Sequence, residues 1–299
     1  MKRYQTAVCA LALMLACVPL AACGSQNSAD NDWEEPVPPV EEPLPPNDVI
    51  EPDPELPDAV IPEIPENPQP PATPEQPKPE ETPDPLPKRK DYVIVRTNGL
   101  NVRSGAGTNY SSLGTVENGV LLELVKKTGN WYETRYRGRT AYVSADSRYT
   151  SLTSLEAGGD LVESVITEGL KVLGVPYVYG AVRLHDGKGN FLNNFTDSKF
   201  DCSSLMQYMF YHGAKILLNT TTRTQVSQGK EVKKQEIQRG DLMFFTNATR
   251  KDKVGIERIG HVALYLGDNY ILHTASDYAK IEQISQTRWS YYITSRRVF

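Results

Sequence analysis

One cysteine in the sequence stands where a thiol could act as a nucleophile. Cys202 lies in Asp201-Cys202-Ser203-Ser204, just before an apolar and aromatic run at residues 205–211. We predict that this run is a buried helix ended by Gly213, so that Cys202 lies at the helix N-terminus, where free N–H groups and the helix dipole favour a thiolate. A buried structural cysteine is the alternative interpretation. The other three cysteines, Cys9, Cys17 and Cys23, lie near the N-terminus, which excludes a disulfide framework around Cys202.

Two histidines follow on what we predict to be a β-hairpin. His261 begins one apolar strand and His273 lies in the next, with Gly267-Asp268-Asn269 between them. If these three residues form the loop, Ala263 lies opposite His273. Paired residues and residues two apart share a face of the sheet, so the two imidazoles become diagonal neighbours. A two-residue loop would place them on opposite faces.

This set of side chains suits nucleophilic catalysis. A thiol needs an adjacent base or cation to be reactive at neutral pH, and that base needs a polar partner to orient it. Cys202 as nucleophile, His261 as base and His273 as orienting group would satisfy both needs. Two ordinary strand histidines are the alternative interpretation. A zinc site of one Cys and two His is disfavoured because no fourth ligand or close-spaced ligand pair is evident. We predict that His185 and His212 are surface or local hydrogen-bonding residues.

The elements around these residues predict an α+β domain over residues 151–299. Apolar periodicity predicts an amphipathic helix from Ser154 to Leu173. The Cys202 helix comes next, followed by the buried run at residues 242–245, the hairpin and a last strand at residues 292–299. Helices first and an antiparallel sheet afterwards are typical of this class.

The first 22 residues have the features of a signal peptide. Lys2 and Arg3 precede an apolar stretch that is too short to span a membrane, and Leu20-Ala21-Ala22-Cys23 matches a bacterial lipobox. We therefore predict lipidation of Cys23 and an extracytoplasmic protein that is anchored to the bacterial membrane and faces the cell wall.

Residues 23–90 are predicted to be a disordered spacer. Residues 30–87 hold 20 of the 22 prolines and 17 acidic residues, against the single basic residue Lys78. Such a stretch cannot build a core and stays extended. A ligand for SH3 or WW domains is the alternative. The net charge of −5 arises here, since residues 91–299 carry 26 Lys and Arg against 20 Asp and Glu, a surplus that suits anionic wall polymers.

Residues 91–150 are predicted to form a small all-β barrel. Short strands alternate with glycine-containing turns, and the strands are at residues 92–95, 100–103, 120–125, 131–136 and 140–143. The stretch Leu100-Asn101-Val102-Arg103-Ser104-Gly105 and the later Gly138-Arg139-Thr140-Ala141-Tyr142-Val143 resemble bacterial SH3 domains. That resemblance implies binding of wall peptides or shaping of an adjacent substrate groove.

The C-terminal half resembles the NlpC/P60 cysteine peptidases. The matching pieces occur in the family's order: Gly174-Val175-Pro176-Tyr177, Asp201-Cys202-Ser203-Ser204, Gln225, residues 240–245, Gly260-His261 through Gly267, and Leu272-His273. The resemblance implies a papain-like core that cleaves peptidoglycan stem peptides next to γ-D-glutamate. It implies no metal, no organic cofactor and no nucleic acid partner, and we expect a monomer.

The resemblance also implies roles for individual residues. Cys202 would be the nucleophile, His261 the base, His273 the third polar residue and Tyr177 a donor to the oxyanion. It implies that the substrate-binding residues are Asp201, Ser203, Thr221 and Gln225, with Asp201 and Ser203 holding a free substrate amine in relatives that carry SH3 domains.

The sequence departs from the family pattern in several places. Ser204 and Ala181 replace glycines, and the stretch at residues 218–222 lacks the arginine found in relatives. A long segment between Tyr179 and Asp201 predicts a loop at the edge of the groove.

The sequence thus predicts a wall hydrolase that acts through a thioester at Cys202. Two rivals stay open: a non-catalytic wall-binding scaffold, and a peptidyl or acyl transferase with the same nucleophile.

Overall fold

The computed structural model describes residues 88–299. The predicted signal peptide, Cys23 and the spacer up to residue 87 lie outside the described residues. The strands are β1 (Arg89–Val95), β2 (Leu100–Arg103), β3 (Ser112–Val116), β4 (Leu121–Glu123), β5 (Lys126–Thr128), β6 (Trp131–Tyr136), β7 (Arg139–Ser144), β8 (Thr150–Glu156), β9 (Lys230–Val232), β10 (Leu242–Phe245), β11 (His261–Gly267), β12 (Tyr270–Ala275), β13 (Tyr278–Gln283) and β14 (Tyr292–Arg297). The α-helices are α1 (Asp160–Lys171), α2 (Cys202–Ala214), α3 (Thr222–Gln225) and α4 (Gln286–Ser290), and 3-10 helices lie at Lys234–Glu236 and Gly255–Arg258.

Two sheets organise the described part of the chain. The larger runs in the order β8-β1-β4-β13-β12-β11-β10-β14-β9, and the smaller in the order β3-β2-β7-β6-β5. The pairing of Ile281 with Leu121 joins β13 to β4, so the larger sheet continues from the N-terminal strands into the C-terminal half. Both partners are fully buried and belong to one apolar core.

The junction between the two halves differs from the sequence prediction. The sequence predicts a helix from Ser154. Instead β8 pairs with the whole length of β1, from Arg89 opposite Glu156 to Val95 opposite Thr150. The helix begins only at Asp160, after Gly159 in extended conformation. A full-length strand partner outweighs the helical periodicity because ladder hydrogen bonds and burial of Leu155 stabilise the extended form.

Helix α2 packs closely against α1, and one glycine makes this possible. We predicted that Gly213 ends the helix, which is wrong. A Cβ atom at Gly213 would lie 2.5 Å from the Cα atom of Val165, so the missing side chain lets the backbones approach. The helix continues to Ala214 and ends at Lys215, which adopts the left-handed conformation with φ 57°.

No helix within residues 88–299 combines the length and the apolar character that crossing a membrane requires.

Candidate active site

A β-bulge aligns the two histidines of the β11–β12 hairpin. The turn consists of Asp268 and Asn269, with φ values of 48° and 65°, rather than the three residues that we predicted. Gly267 pairs with Tyr270, yet Tyr265 pairs with Ile271, so β11 carries an extra residue at the bulge. The bulge restores the register that a three-residue loop would give, which keeps both imidazoles on one face.

His261 and His273 are in direct contact as a result. His261 Nε2 lies 3.0 Å from His273 Nδ1, and the rings meet edge to face with centroids 5.1 Å apart. Both residues are fully buried. The diagonal arrangement that the sequence predicted is therefore present, although the turn that produces it is shorter than expected.

A carboxylate that was not predicted from the sequence extends this row of hydrogen bonds beyond His273. Glu282 Oε1 lies 3.0 Å from His273 Nε2. Glu282 belongs to β13, which pairs with β12 so that Lys280 lies opposite His273. The alternation along β13, with Ala279 and Ile281 buried between more exposed neighbours, is the period-two signal that could have found this strand.

Two cations hold Glu282 in its charged form. Arg288 Nη2 donates to Glu282 Oε1 at 2.9 Å, and Lys280 Nζ lies 3.1 Å from the other oxygen. Burial by itself would raise the pKa of Glu282, but the hydrogen bond from His273 and the charges of His273, Lys280 and Arg288 keep this pKa well below its ordinary value. Glu282 therefore acts only as a hydrogen-bond acceptor at neutral pH.

This anion determines the tautomers of both histidines. Because Glu282 accepts, His273 donates from Nε2 and its Nδ1 carries a lone pair. That lone pair accepts from His261 Nε2–H, which leaves the lone pair of His261 on Nδ1. Burial lowers the pKa of His261 well below its ordinary value, with added repulsion from His273 and Arg288. A neutral imidazole with its lone pair on Nδ1 is a form that can act as a general base.

Cys202 is the first residue of α2 and is nearly fully buried. Asp201 caps this helix by accepting from the backbone N–H of Ser204, while the Ser204 hydroxyl accepts from the Asp201 N–H. Helix α2 packs on β11 and β12, the strands that carry His261 and His273. The sulfur thus lies at the positive end of a helix, which stabilises negative charge.

The predicted substrate-binding residues occupy different positions around this helix. Ser203 is buried and its hydroxyl donates to Asp201 Oδ1 at 3.2 Å. Thr221 is half-buried and caps α3. Gln225 is fully buried and its amide donates to the carbonyl oxygens of Ser203 and Asn219. Gln225 thus supports the backbone behind Cys202, and its contact with substrate stays a prediction.

Tyr177 lies on a segment that passes beside the start of α2. It forms a bridge with Phe200, two residues before Cys202, and its backbone N–H donates to Asp277. Its ring is half-buried, next to the exposed Val178 and Tyr179. The segment therefore runs beside the residues just before α2, and the role of the Tyr177 hydroxyl stays a prediction.

The remaining histidines lie elsewhere. His185, which we assigned to the surface or to local hydrogen bonding, is fully buried and accepts from the Gly187 N–H. His212 lies on α2 against Tyr208 and Tyr211. Within residues 88–299, no three or more His, Cys, Asp or Glu side chains are grouped so that they could hold a metal ion.

Comparison with known proteins identifies two domains. Residues 174–298 match the NlpC/P60 family and residues 98–151 match the bacterial SH3 domain. These matches confirm the predicted α+β class, with an NlpC/P60 domain preceded by a small SH3-like barrel.

The chain is similar to several known proteins over part of its length. The chain is 28% identical to the gamma-DL-glutamyl hydrolase of Bacillus subtilis, over 62% of this chain and 38% of that protein. It is 29% identical to the peptidoglycan endopeptidase RipA of Mycolicibacterium smegmatis, over 46% of this chain and 26% of that protein. The chain thus spans well under half the length of these relatives.

A solved structure of an NLP/P60 family protein from Staphylococcus aureus, described as similar to lipoprotein, is 30% identical. It covers 52% of this chain and 47% of its own, with a TM-score of 0.38.

Proposed function

We propose that this chain, which carries an NlpC/P60 domain behind a bacterial SH3 domain, is a cysteine endopeptidase that cleaves peptidoglycan stem peptides at the γ-D-glutamyl–diamino acid bond. The observation that carries the proposal is the row of hydrogen bonds from Glu282 through His273 to His261, with 3.0 Å at each step. The names of the relatives, a gamma-DL-glutamyl hydrolase and a peptidoglycan endopeptidase, support the substrate class.

The mechanism follows from the tautomers. His261 Nδ1 accepts the proton of the Cys202 thiol, and the thiolate attacks the γ-carbonyl carbon of the D-glutamyl residue. The backbone N–H of Cys202 and the Tyr177 hydroxyl donate to the oxyanion that forms. When the C–N bond breaks, His261 gives its proton to the leaving amine and a thioester remains on Cys202. Water, deprotonated by His261, then attacks the thioester carbonyl carbon. The C–S bond breaks, the new carboxyl group is released, and the Cys202 thiolate regains the proton from His261.

In this proposal the N-terminal part of the chain anchors the enzyme at a membrane. Cleavage of residues 1–22 would leave Cys23 as a lipidated first residue, and residues 23–90 would connect the anchor to the SH3 domain at 91–150 and the catalytic domain at 151–299. The relatives named as peptidoglycan endopeptidases support an extracytoplasmic site of action. The enzyme would then work on the wall from the surface of a membrane.

Mass spectrometry of defined muropeptides tests this proposal against its two rivals. We expect new products that end in γ-D-glutamate and begin with the diamino acid, and we expect none with Cys202→Ala. Binding of muropeptides without cleavage by the unaltered protein would favour the non-catalytic scaffold. A product joined to an added amine acceptor, formed at the expense of the hydrolysis product, would favour the transferase.

A further inference from the structure

The carboxylate next to the nucleophile has partners at both oxygens. Asp201 Oδ1 accepts from the Ser204 N–H at 2.8 Å and from the Ser203 hydroxyl at 3.2 Å. Oδ2 accepts from Arg183 Nη1 at 2.6 Å. Asp201 is almost completely buried. A substrate ammonium would therefore meet a carboxylate that is buried and already paired at both oxygens.

Arg183 comes from the long segment between Tyr179 and Asp201, and three acceptors hold it in place. Its Nε donates to the Thr220 carbonyl oxygen, and its Nη1 donates to the Ala181 carbonyl oxygen as well as to Asp201. The guanidinium thus connects three chain segments around the start of α2. Its position is defined by these contacts rather than by the ion pair alone.

Arg183 is the more exposed member of this ion pair. The Arg183 side chain is 19% exposed, against 6% for Asp201. The surface that the pair presents beside Cys202 is therefore neutral to positive. An ammonium group that came to Asp201 would have to displace a guanidinium from a charge-assisted hydrogen bond and from two carbonyl oxygens, and it would be repelled by that guanidinium.

We propose that the Arg183–Asp201 pair makes the end of the groove next to Cys202 select stem peptides whose first amino group is acylated, and reject stems with a free ammonium there. This inference rests on the proposed function and names its substrate class as stems still attached to the glycan strand. It reverses the role that the family resemblance implied for Asp201. The Arg183 guanidinium repels a free ammonium, and such repulsion can determine specificity as much as attraction to the correct substrate.

The test uses the whole mature chain and two substrates. One is the free tripeptide L-Ala-γ-D-Glu-diamino acid, and the other is the same peptide with an N-acetyl group. We expect kcat/KM to favour the acetylated peptide by at least about tenfold, the order that one desolvated charge contact supplies. Arg183→Gln uncovers Asp201 and is expected to reduce this ratio at least about tenfold by improving cleavage of the free amine. Adding Asp201→Asn to that variant should remove the gain.

Matched variants separate charge from structure. Lys188→Gln removes an exposed positive charge from the same segment and should leave the ratio unchanged. Arg183→Lys keeps the charge and should keep the preference for the acetylated peptide. Equal or better cleavage of the free amine by the unaltered protein overturns the inference, and so does an unchanged ratio in a folded Arg183→Gln variant. If Arg183→Gln does not fold, the ratio of the unaltered protein decides.

A binding measurement can test the preference for acylated stems separately from the proposed peptidase activity. Calorimetric titration of Cys202→Ala with both peptides measures the preference without turnover. If the unaltered protein cleaves neither peptide but Cys202→Ala binds the acetylated one at least about tenfold more tightly, the peptidase proposal fails and the inference stands. Equal affinity for the two peptides, or binding of neither, overturns the inference.

Discussion

His273 Nε2 lies 3.0 Å from Glu282 Oε1, and this hydrogen bond determines which nitrogen of each imidazole in the site carries a proton. Without an anionic acceptor, His273 could donate from Nδ1–H to His261 Nε2. The lone pair of His261 would then lie on Nε2 instead of Nδ1. Arg288 and Lys280 keep Glu282 ionised. The hydrogen bonds are therefore donated in one direction, from His261 to His273 and from His273 to Glu282. Glu282 is therefore a positioning residue that acts through His273.

Glu282→Gln is expected to lower kcat about 10- to 100-fold with little change in KM, because the amide presents a donor as well as an acceptor to His273. The charge of Glu282 also raises the pKa of His261, so its removal should move the acidic limb of the pH–kcat/KM profile to lower pH. Steady-state kinetics across pH checks both effects.

Glu231→Gln is the matched control for that variant. Glu231 is 68% exposed on β9 and pairs with Arg296, away from the histidines. It should change neither kcat nor the pH profile. A Glu282→Gln enzyme with unaltered kcat and an unmoved acidic limb would contradict the positioning role.

The free energy of unfolding should depend on pH through His273. Burial, with repulsion from Arg288, lowers the pKa of His273 from 6.5 to about 4. The unfolded chain therefore binds this proton more readily than the folded protein. The stabilisation is fully present above pH 6.5 and is lost as pH falls toward 4, by about 3 kcal/mol.

Urea unfolding between pH 4 and 7 measures this loss. His261, whose pKa is lowered in the same way, adds to this loss below pH 6.5, and Glu282 adds to it only below about pH 4.5. In His273→Gln the slope between pH 6.5 and 4.5 should become shallower. An identical slope in that variant would show that His273 is not the group responsible.

Two substitutions at the end of α2 are expected to act in opposite directions. Gly213→Ala adds a Cβ atom 2.5 Å from the Val165 Cα and should destabilise the protein by about 1–3 kcal/mol, although helix propensity favours Ala by about 1 kcal/mol. Lys215→Gly relieves a left-handed residue and should stabilise by about 0.5–1 kcal/mol. Thermal unfolding checks the signs, and a stabilised Gly213→Ala would contradict the close packing of α1 on α2.

Anchoring through Cys23 is expected to depend on its sulfur. Cys23→Ser should release the protein from the membrane or leave an unprocessed precursor, because a hydroxyl cannot take the place of the lipidated thiol. Fractionation of cells and the mass of the N-terminal peptide report the result. A Cys23→Ser protein that is processed and retained as before would exclude the lipobox.

Local patterns were sufficient to predict much of the site. Strand β12 and the first residue of α2 were predicted at their observed positions, and β11 to within one residue, because strong apolar runs and turn residues delimit them. The contact between the two imidazoles followed from strand register. It was predicted despite the wrong turn length, because the bulge at Leu266 compensates for the missing loop residue.

The features that were missed depend on long-range partners. Strand β8 forms because β1, some 60 residues earlier in the chain, pairs with it, and the role of Gly213 inside the helix depends on its close contact with Val165. Glu282 lies on β13, whose period-two alternation could have identified the strand but not the partner of this residue, and Arg183 lies in a segment without such a pattern. Their roles become visible only when the fold places them beside His273 and Asp201.

The most direct test of the central claim is the intact mass of the protein, acid-quenched during turnover of an N-acylated stem peptide. The account predicts a species heavier by the acyl fragment that ends in γ-D-glutamate, bound to the peptide that contains Cys202. His261→Ala should form this species far more slowly and Cys202→Ala not at all. Undiminished cleavage by Cys202→Ala, with no adduct on the unaltered protein, would contradict the thioester mechanism.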